Sequence, residues 1–224
     1  MPYPTSEYTM DGYNRLVHDE LSYDKDTLKV EHKRLYVTLT EEQKGIYRTI
    51  MDSVDKNKGG MFFIYRYGRT GKTCLYKTLS VACRSQGGII LNVASSGIAA
   101  LFLEGGRIAH SRFAIPINVV EDSMCNISAD SELAELLRMT KLIIWDEAPM
   151  VNRHYYEAFD RTMGYIYHTD HSTPSEHVFG RKVVVFKGDS DAVSCTKWQP
   201  TRCCTRGHKL FLFVKSFHRY EVND

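Results

Sequence analysis

The chain has 224 residues, enough for one principal domain with appendages, since domains mostly run to about 100–200 residues. Hydrophobic residues make up 43% and charged residues 25%, as in an ordinary globular protein. No run approaches the roughly 20 apolar residues that cross a bilayer, so we expect no membrane association. The formal net charge of +2 is too small to identify a nucleic-acid-binding protein, and charge therefore leaves the partners open.

The first 38 residues are polar and rich in tyrosine and charge, and we interpret residues 1–38 as an N-terminal extension without a core of its own. Within it, "DELSYDKDTLKVEHKRL" reads as a surface helix. The N-terminus lacks the basic start and apolar core of a secretory signal, and the six cysteines follow no regular framework. We therefore expect an intracellular protein with free thiols that is not secreted.

A helix is predicted to begin after Thr40. This threonine is a good N-cap, and Gln43 lies three residues later, as in a capping box. Ile46, Ile50 and Val54 follow at helical spacing, and "NKGG" ends the pattern. The next run, "MFFIYRY", predicts a buried strand, although periodicity in so short a run does not exclude a helix.

The segment "RYGRTGKTCLYKT" follows this strand directly. Beyond it, apolar residues at three- and four-residue spacing predict a helix of about three turns that ends at "SQGG"; they are Leu75, Leu79, Ala82 and Cys83. Strand, glycine loop and helix form the order that a phosphate-binding loop requires.

Further apolar runs alternate with helical patterns. The predicted strands are "GIILNVAS", "KLIIWDEA" and "RKVVVFKGD", and "SELAELLRM" is a predicted helix. Alternation of this kind indicates a parallel sheet covered by helices on both faces. The expected fold is therefore an α/β domain of the P-loop NTPase type.

The glycine-rich loop supplies the candidate phosphate ligands. In such a loop, backbone N–H groups and the following helix N-terminus surround the phosphates, a lysine reaches the β- and γ-phosphates, and a hydroxyl binds Mg²⁺. The candidate residues are Gly68, Arg69, Thr70, Gly71, Lys72 and Thr73. A glycine turn that ends in "GKT" by chance is the alternative, and the flanking strand and helix favour the binding loop.

Two carboxylates follow the apolar run "LIIW". Asp146 would hold Mg²⁺ at the carboxyl end of a strand, and Glu147 would orient the attacking water; by themselves the two could equally be a polar strand end. Together with Lys72 and Thr73 they indicate an NTPase, because both segments converge on one edge of a parallel sheet. We predict a nucleoside triphosphate and Mg²⁺ as ligands, with Lys72, Asp146 and Glu147 catalytic and with Thr73 and Asp146 holding the metal.

Longer segments resemble the PIF-type (petite integration frequency) DNA helicases of superfamily one, especially the copies related to Helitron transposons. They are "LTEEQKGIY", "GRTGKT", "LNVASSGIAALFLEGGRIAHSRFAIP", "LIIWDEAPM" and "VVVFKGD", and the resemblance runs from about residue 1 to residue 189. It implies that residues 39–189 form the first RecA-like motor domain, in which ATP hydrolysis drives 5′-to-3′ movement on single-stranded DNA or DNA junctions. It also implies roles in DNA repair, recombination and telomere maintenance, in the nucleus or alternatively the mitochondrion.

The resemblance also implies roles for single residues. Gln43 corresponds to the glutamine that reads adenine, and the segments "ASSGIAA" and "AHS" correspond to those that contact the DNA strand. Their candidates for phosphate contacts are Ser95, Ser96, His110 and Ser111. Taken singly, each is more often a helix cap, a loop residue or a satisfied histidine. Hydroxyls and backbone amides can hold a DNA backbone without reading bases.

The chain departs from the family pattern at several positions. The family loop reads "GYGGTGKT", whereas this chain has Arg66 and Arg69 at two of its glycine positions, which we expect to weaken nucleotide binding without abolishing it. Lys187 replaces a glycine, and "GDFRQ" becomes "GDSDA", which lacks the glutamine that senses the γ-phosphate.

The resemblance stops after Asp189. Residues 201–213 back-translate in an offset frame to "QDVVHEAINSSYL", which resembles the family's continuation, so we hypothesise a frameshift near Ser190 and a divergent tail over residues 190–224. Cysteines and a histidine of the tail could be taken for a metal site, but it holds no paired C-x₂-C, and exposed or loosely packed thiols are favoured. They are Cys195, Cys203, Cys204 and His208.

A helicase motor needs a second RecA-like domain that closes the ATP site and supplies an arginine finger. The length of this chain does not accommodate one, so we expect a truncated first motor domain that is weak or inactive alone. The alternative is a non-catalytic remnant that binds nucleotide or DNA.

Overall fold

The computed structural model describes residues 14–65, 72–168, 178–188 and 211–215. These residues form a six-stranded sheet with the strand order β3-β2-β4-β5-β1-β6. The strands are Gly60–Tyr65 (β1), Ile89–Ala94 (β2), Arg107–Ile108 (β3), Thr140–Asp146 (β4), Val183–Gly188 (β5) and Phe211–Lys215 (β6). Neighbours from β3 to β1 pair in parallel, and β6 pairs with β1 antiparallel.

Helices precede, follow and connect these strands. They are Arg15–Leu21 (α1), Lys25–Thr38 (α2), Glu41–Asp55 (α3), Lys72–Ser85 (α4), Gly97–Leu101 (α5), Ala109–Arg112 (α6), Glu132–Met139 (α7) and Arg153–His168 (α8). A 3₁₀ turn occupies Ala148–Met150, and Val178–Arg181 form a short turn in which Phe179 and Gly180 have positive φ, 52° and 57°. In the part of the chain that the structure describes, no helix has the length and apolar character needed to cross a membrane.

The sheet is buried on both faces, because successive side chains of a strand point to opposite sides. On β4, Leu142 and Ile144 pack with Ile50 of α3 and Leu79 of α4. The alternate side chains Ile143 and Trp145 pack on the other face with apolar residues of α7 and α8, which include Leu136, Phe159 and Met163. The predicted α/β architecture, with a central parallel sheet between two layers of helices, is confirmed.

Helix α3 begins as its sequence predicts. The Thr40 side chain accepts a hydrogen bond from the Gln43 backbone N–H, and the Gln43 side chain accepts one from the Thr40 backbone N–H. This reciprocal capping box satisfies two N–H groups that the first turn of a helix leaves without partners. Ile46, Ile50 and Val54 are buried, so the helical spacing identified the inward face correctly.

The N-terminal helices lie against the sheet domain. Helix α1 packs on α7, and α2 packs on α4. Val17 of α1 belongs to the core between the sheet and helices α7 and α8, and Glu20 forms an ion pair of 2.7 Å with Arg112 of α6. The Asn14 side chain caps α1 and also donates to the backbone carbonyl of Glu132 in α7 at 2.8 Å. The surface helix predicted here is therefore two short helices that are docked by apolar and polar contacts.

The order of the central strands determines where the chemistry can lie. Strand β5 runs between β1, which precedes the glycine-rich loop, and β4, which carries the acidic pair. Because the three strands are parallel, their carboxyl ends meet at one edge of the sheet. Any side chain near the end of β5 is therefore placed between the two predicted halves of the nucleotide site.

Candidate nucleotide-binding site

A cavity of about 440 Å³ opens at this carboxyl edge. Its lining includes Thr73 from the first turn of α4, Asp146 from the end of β4 and Lys187 from β5. Leu101, Phe102 and Glu104, which follow β2 in the chain, also line the cavity. The structure thus brings Thr73 and Asp146, the two predicted metal ligands, to one space.

Helix α4 begins at Lys72, directly after the glycine-rich loop. The first N–H groups of a helix lack partners within the helix, and its N-terminus carries a partial positive charge that attracts anions. Thr73 is exposed in this first turn and faces the cavity. Gly68, Arg69, Thr70, Gly71 and the side chain of Lys72 lie outside the described residues, so their predicted roles stay predictions.

Asp146 is the last residue of β4 and is almost fully buried. The carboxylate Oδ1 accepts a hydrogen bond of 2.8 Å from the backbone N–H of Glu147. The other oxygen, Oδ2, lies 2.5 Å from the Lys187 ammonium nitrogen, and the Asp146 and Lys187 side chains are 8% and 20% exposed. Both oxygens of the predicted metal ligand are therefore already engaged within the protein.

Glu147 follows in a left-handed backbone conformation, with φ of 53°. A residue with a side chain adopts this conformation at a cost of roughly 1–2 kcal/mol, and such strain is concentrated at functional sites. The turn directs the Glu147 carboxylate to Ser96, whose hydroxyl donates a hydrogen bond to Oε2. Next to it, the Trp145 indole N–H donates to the Ser95 hydroxyl at 3.1 Å. The acidic pair is thus tied to the segment that follows β2.

The four predicted DNA contacts lie along the same edge of the sheet. Ser95 and Ser96 follow β2, and His110 and Ser111 belong to α6, which follows β3. Strands β2 and β3 pair in parallel with Ala94 beside Ile108, so the two segments leave the sheet side by side. His110 and Ser111 are exposed, whereas the two earlier serines are half-buried.

Gln43 is buried at the start of α3, outside the residues that line the cavity. Its side-chain oxygen is used in the capping box, so the structure shows a structural role for the carbonyl end of this amide. Helix α3 packs directly on α4 and on β5. The predicted contact with adenine stays a prediction, and the side-chain N–H₂ group of Gln43 would have to make it.

Sequence reasoning missed the part that Lys187 plays. The sequence identifies this lysine only as a replacement for a glycine, because the strand order that places it beside Asp146 is not contained in the spacing along the chain. It also missed the exposed apolar residues Ile98, Leu101 and Phe102, which lie in and after α5 close to the predicted DNA contacts.

Comparison with known proteins identifies the family. The sequence profile of the PIF1-like helicases matches residues 38–203, most of the chain. The chain belongs to the PIF1-like helicase family. The match begins near the Thr40 cap and continues beyond Asp189, into the predicted divergent tail of residues 190–224. A search of curated protein sequences finds no match.

Solved Pif1 helicases share the fold. Pif1 from Bacteroides in complex with ADP-AlF4 is 30% identical over 67% of this chain and 32% of that chain, with a TM-score of 0.52. Bacteroides Pif1 with ADP-AlF3 and single-stranded DNA is 28% identical over the same shares, with a TM-score of 0.54. Bacteroides Pif1 bound to single-stranded DNA gives 28% identity over 67% and 32% and a TM-score of 0.53. This member of the PIF1-like family thus spans about a third of the length of the solved relatives, and its RecA-like α/β fold is confirmed.

Proposed function

We propose that this chain is the nucleotide-binding first motor domain of an ATP-dependent DNA helicase. The observation that carries the proposal is that Thr73, at the N-terminus of α4, and Asp146, at the end of β4, line one cavity, and that Glu147 follows directly. A phosphate-binding helix N-terminus, a hydroxyl and two carboxylates at one sheet edge form the set that NTP hydrolysis requires. The capture of ADP-AlF4 by the related Bacteroides Pif1 supports ATP as the nucleotide.

Mg²⁺ would be held by the Thr73 hydroxyl and the Asp146 carboxylate. Both are oxygen ligands, which Mg²⁺ prefers, and both face the same cavity, so the donor set fits the ion. The Asp146 oxygen that faces the ion pair must first be released from Lys187. When bound, the metal neutralises charge on the β- and γ-phosphate oxygens.

Glu147 would orient the water that attacks the γ-phosphate. Its carboxylate lies beyond the end of β4, and the hydrogen bond from Ser96 holds it toward the segment that follows β2. In the state described here, Oε2 of the Glu147 carboxylate is therefore engaged by the Ser96 hydroxyl. Lys72 would reach the β- and γ-phosphates from the start of α4, and Gln43 would contact the adenine with its amide N–H₂.

Single-stranded DNA would run along the carboxyl edge next to the nucleotide. Ser95, Ser96, His110 and Ser111 would contact its phosphates, which needs no reading of bases. Phe102, 76% exposed after α5, offers a ring face on which a base can stack. The complex of Bacteroides Pif1 with single-stranded DNA supports this partner, and the family resemblance supports DNA junctions, 5′-to-3′ movement and a nuclear location.

A first motor domain alone would unwind DNA weakly or not at all, because two motor domains are needed to close the site and to move along a strand. A non-catalytic remnant is the second candidate. The ion pair between Lys187 and Asp146 favours the remnant, because the ion pair engages a predicted metal ligand.

ATP turnover of the full chain, with and without a single-stranded oligonucleotide, separates the two. The motor-domain proposal predicts slow turnover that the oligonucleotide increases and that Glu147→Gln reduces by about 10²–10⁴-fold, the usual contribution of a positioned acid or base. The nucleotide affinity of Glu147→Gln should stay near that of the wild type. Turnover that DNA does not stimulate would favour the remnant.

A further inference from the structure

Lys187 occupies a position between the two halves of the nucleotide site. It belongs to β5, beside Ile64 of β1, and the preceding residue, Phe186, lies beside Trp145 of β4. The Lys187 ammonium therefore reaches the carboxylate of Asp146, at 2.5 Å from Oδ2, and it also lies 5.5 Å from the centre of the Tyr76 ring. A carboxylate and the face of an aromatic ring both stabilise a cation, so two contacts hold this charge in place.

The ammonium stands where a divalent cation would bind Asp146. Oδ1 already accepts the Glu147 backbone N–H, so a metal would approach Oδ2, the oxygen that Lys187 contacts. Two cations on one oxygen of a buried carboxylate repel each other strongly, because the surroundings screen them poorly. Lys187 and a metal ion at Asp146 are therefore competitors.

The same charge also faces the space for phosphates. Lys187 and Thr73 both line the cavity near the start of α4. A lysine ammonium is a compact point charge that binds phosphate oxygens well. Lys187 can consequently neutralise Asp146 and attract a phosphate group without any metal.

We propose that Lys187 acts as a built-in cation at this site, so that the chain binds nucleotide with little dependence on Mg²⁺ and binds divalent metal weakly at Asp146. The inference rests on the proposed nucleotide site and adds its metal dependence. The glycine that the family resemblance gives at this position could not supply such a charge.

The nucleotide arm of the test measures the dissociation constant of a fluorescent ADP analogue for the full chain, in Mg²⁺ and in EDTA. The wild-type constant should change by less than about fivefold, whereas that of Lys187→Met should change by about 5–150-fold, the usual range of coupling between two ligands. Lys77→Met is the matched control, because Lys77 lines the same cavity but pairs with Glu31 at 2.7 Å. Its metal dependence should match the wild type.

The metal arm works without nucleotide and so stands independently of the proposed function. Electron paramagnetic resonance of Mn²⁺ should show binding to Lys187→Met that is at least about tenfold tighter than to the wild type and that is lost on adding Asp146→Asn. Lys187→Gly provides a second variant, and circular dichroism checks that each variant folds. Equal Mn²⁺ affinity of the wild type and Lys187→Met, or no binding by Lys187→Met, would overturn the inference. If nucleotide does not bind to any variant, the proposed function fails while the Mn²⁺ result still decides the role of Lys187.

Discussion

The Ser96 hydroxyl donates a hydrogen bond to the Glu147 carboxylate, across the carboxyl ends of β2 and β4. Ser96 also caps α5, because its hydroxyl accepts the Ala99 backbone N–H at 3.2 Å. Glu147, which is proposed to orient water, and Ser96, which is proposed to contact DNA, are therefore joined by a hydrogen bond. A DNA phosphate that recruits Ser96 would change the environment of Glu147, which gives a direct physical route for coupling between strand and nucleotide.

Removing this hydroxyl should uncouple DNA from nucleotide. The affinity of the wild type for a single-stranded oligonucleotide should differ with and without ADP plus aluminium fluoride. In Ser96→Ala the ratio of these two affinities should fall by at least about fivefold, toward one. The lost cap should also lower the free energy of unfolding by about 1 kcal/mol, measurable in urea. Ser111→Ala, at an exposed position of α6, is the control that should keep the ratio. An unchanged ratio in Ser96→Ala would contradict the coupling.

Gln43 should serve both stability and base selection. Gln43→Ala removes the capping box and should lower the free energy of unfolding by about 1 kcal/mol. Gln43→Glu keeps the acceptor that caps Thr40 but loses the amide donor, so it should hold more of the stability. In both variants the preference for ADP over GDP should fall about tenfold, because one hydrogen bond contributes about this much to affinity. Full selectivity in Gln43→Glu would rule out the proposed adenine contact.

Gly188, at the end of β5, should not tolerate a side chain. An added Cβ would lie 2.5 Å from Cγ of Pro149 and 3.1 Å from the Phe63 ring, and Pro149 follows the acidic pair by two residues. Gly188→Ala should therefore lower the free energy of unfolding by about 1–3 kcal/mol, as overpacking does.

Gly45 provides the control for this substitution. It is exposed within α3 and has no atom within 4 Å of an added Cβ, so Gly45→Ala should raise the free energy of unfolding by about 0.5–1 kcal/mol. Urea unfolding curves of the two variants measure both changes. Equal shifts for the two glycines would show that contact with Pro149 does not matter.

The three described cysteines should differ in reactivity. All three are free thiols; Cys74 is partly exposed, whereas burial raises the pKa of the Cys83 and Cys125 thiols to about 11. The thiolate is the reactive form, so at pH 8 a maleimide should label Cys74 at least about tenfold faster than the two buried residues. Peptide mass spectrometry after timed labelling distinguishes the sites. Comparable rates at Cys74 and Cys83 would contradict the packing of α4.

The sheet and the helices that cover it could be predicted because their patterns are strong. The apolar runs identified β1, β2, β4 and β5, and Leu75 and Leu79 identified the inward face of α4. Helix α8 was not predicted, although Phe159, Met163 and Ile166 follow helical spacing and are buried. Tyrosines and charged residues around them obscured the pattern.

Within the site, the sequence placed Thr73 and Asp146 at one edge because parallel strands align their carboxyl ends. It did not predict the bond between Ser96 and Glu147 or the ion pair of Lys187 with Asp146. Both depend on the strand order β2-β4-β5 and on side-chain directions, which spacing along the chain does not contain.

The central claim is that nucleotide binds where α4 begins, beside the end of β4. Titration of the full chain with a fluorescent ADP analogue, followed by anisotropy, tests it most directly. Saturable binding is expected. Lys72→Ala should lower the affinity for the analogue by at least about tenfold, because a hydrogen bond to a charged group contributes at least this much. Lys58 lies beyond the end of α3 and pairs with Asp52, so Lys58→Ala should bind the nucleotide as the wild type does. No saturable binding by the wild type, or equal affinity of the wild type and Lys72→Ala, would contradict the claim.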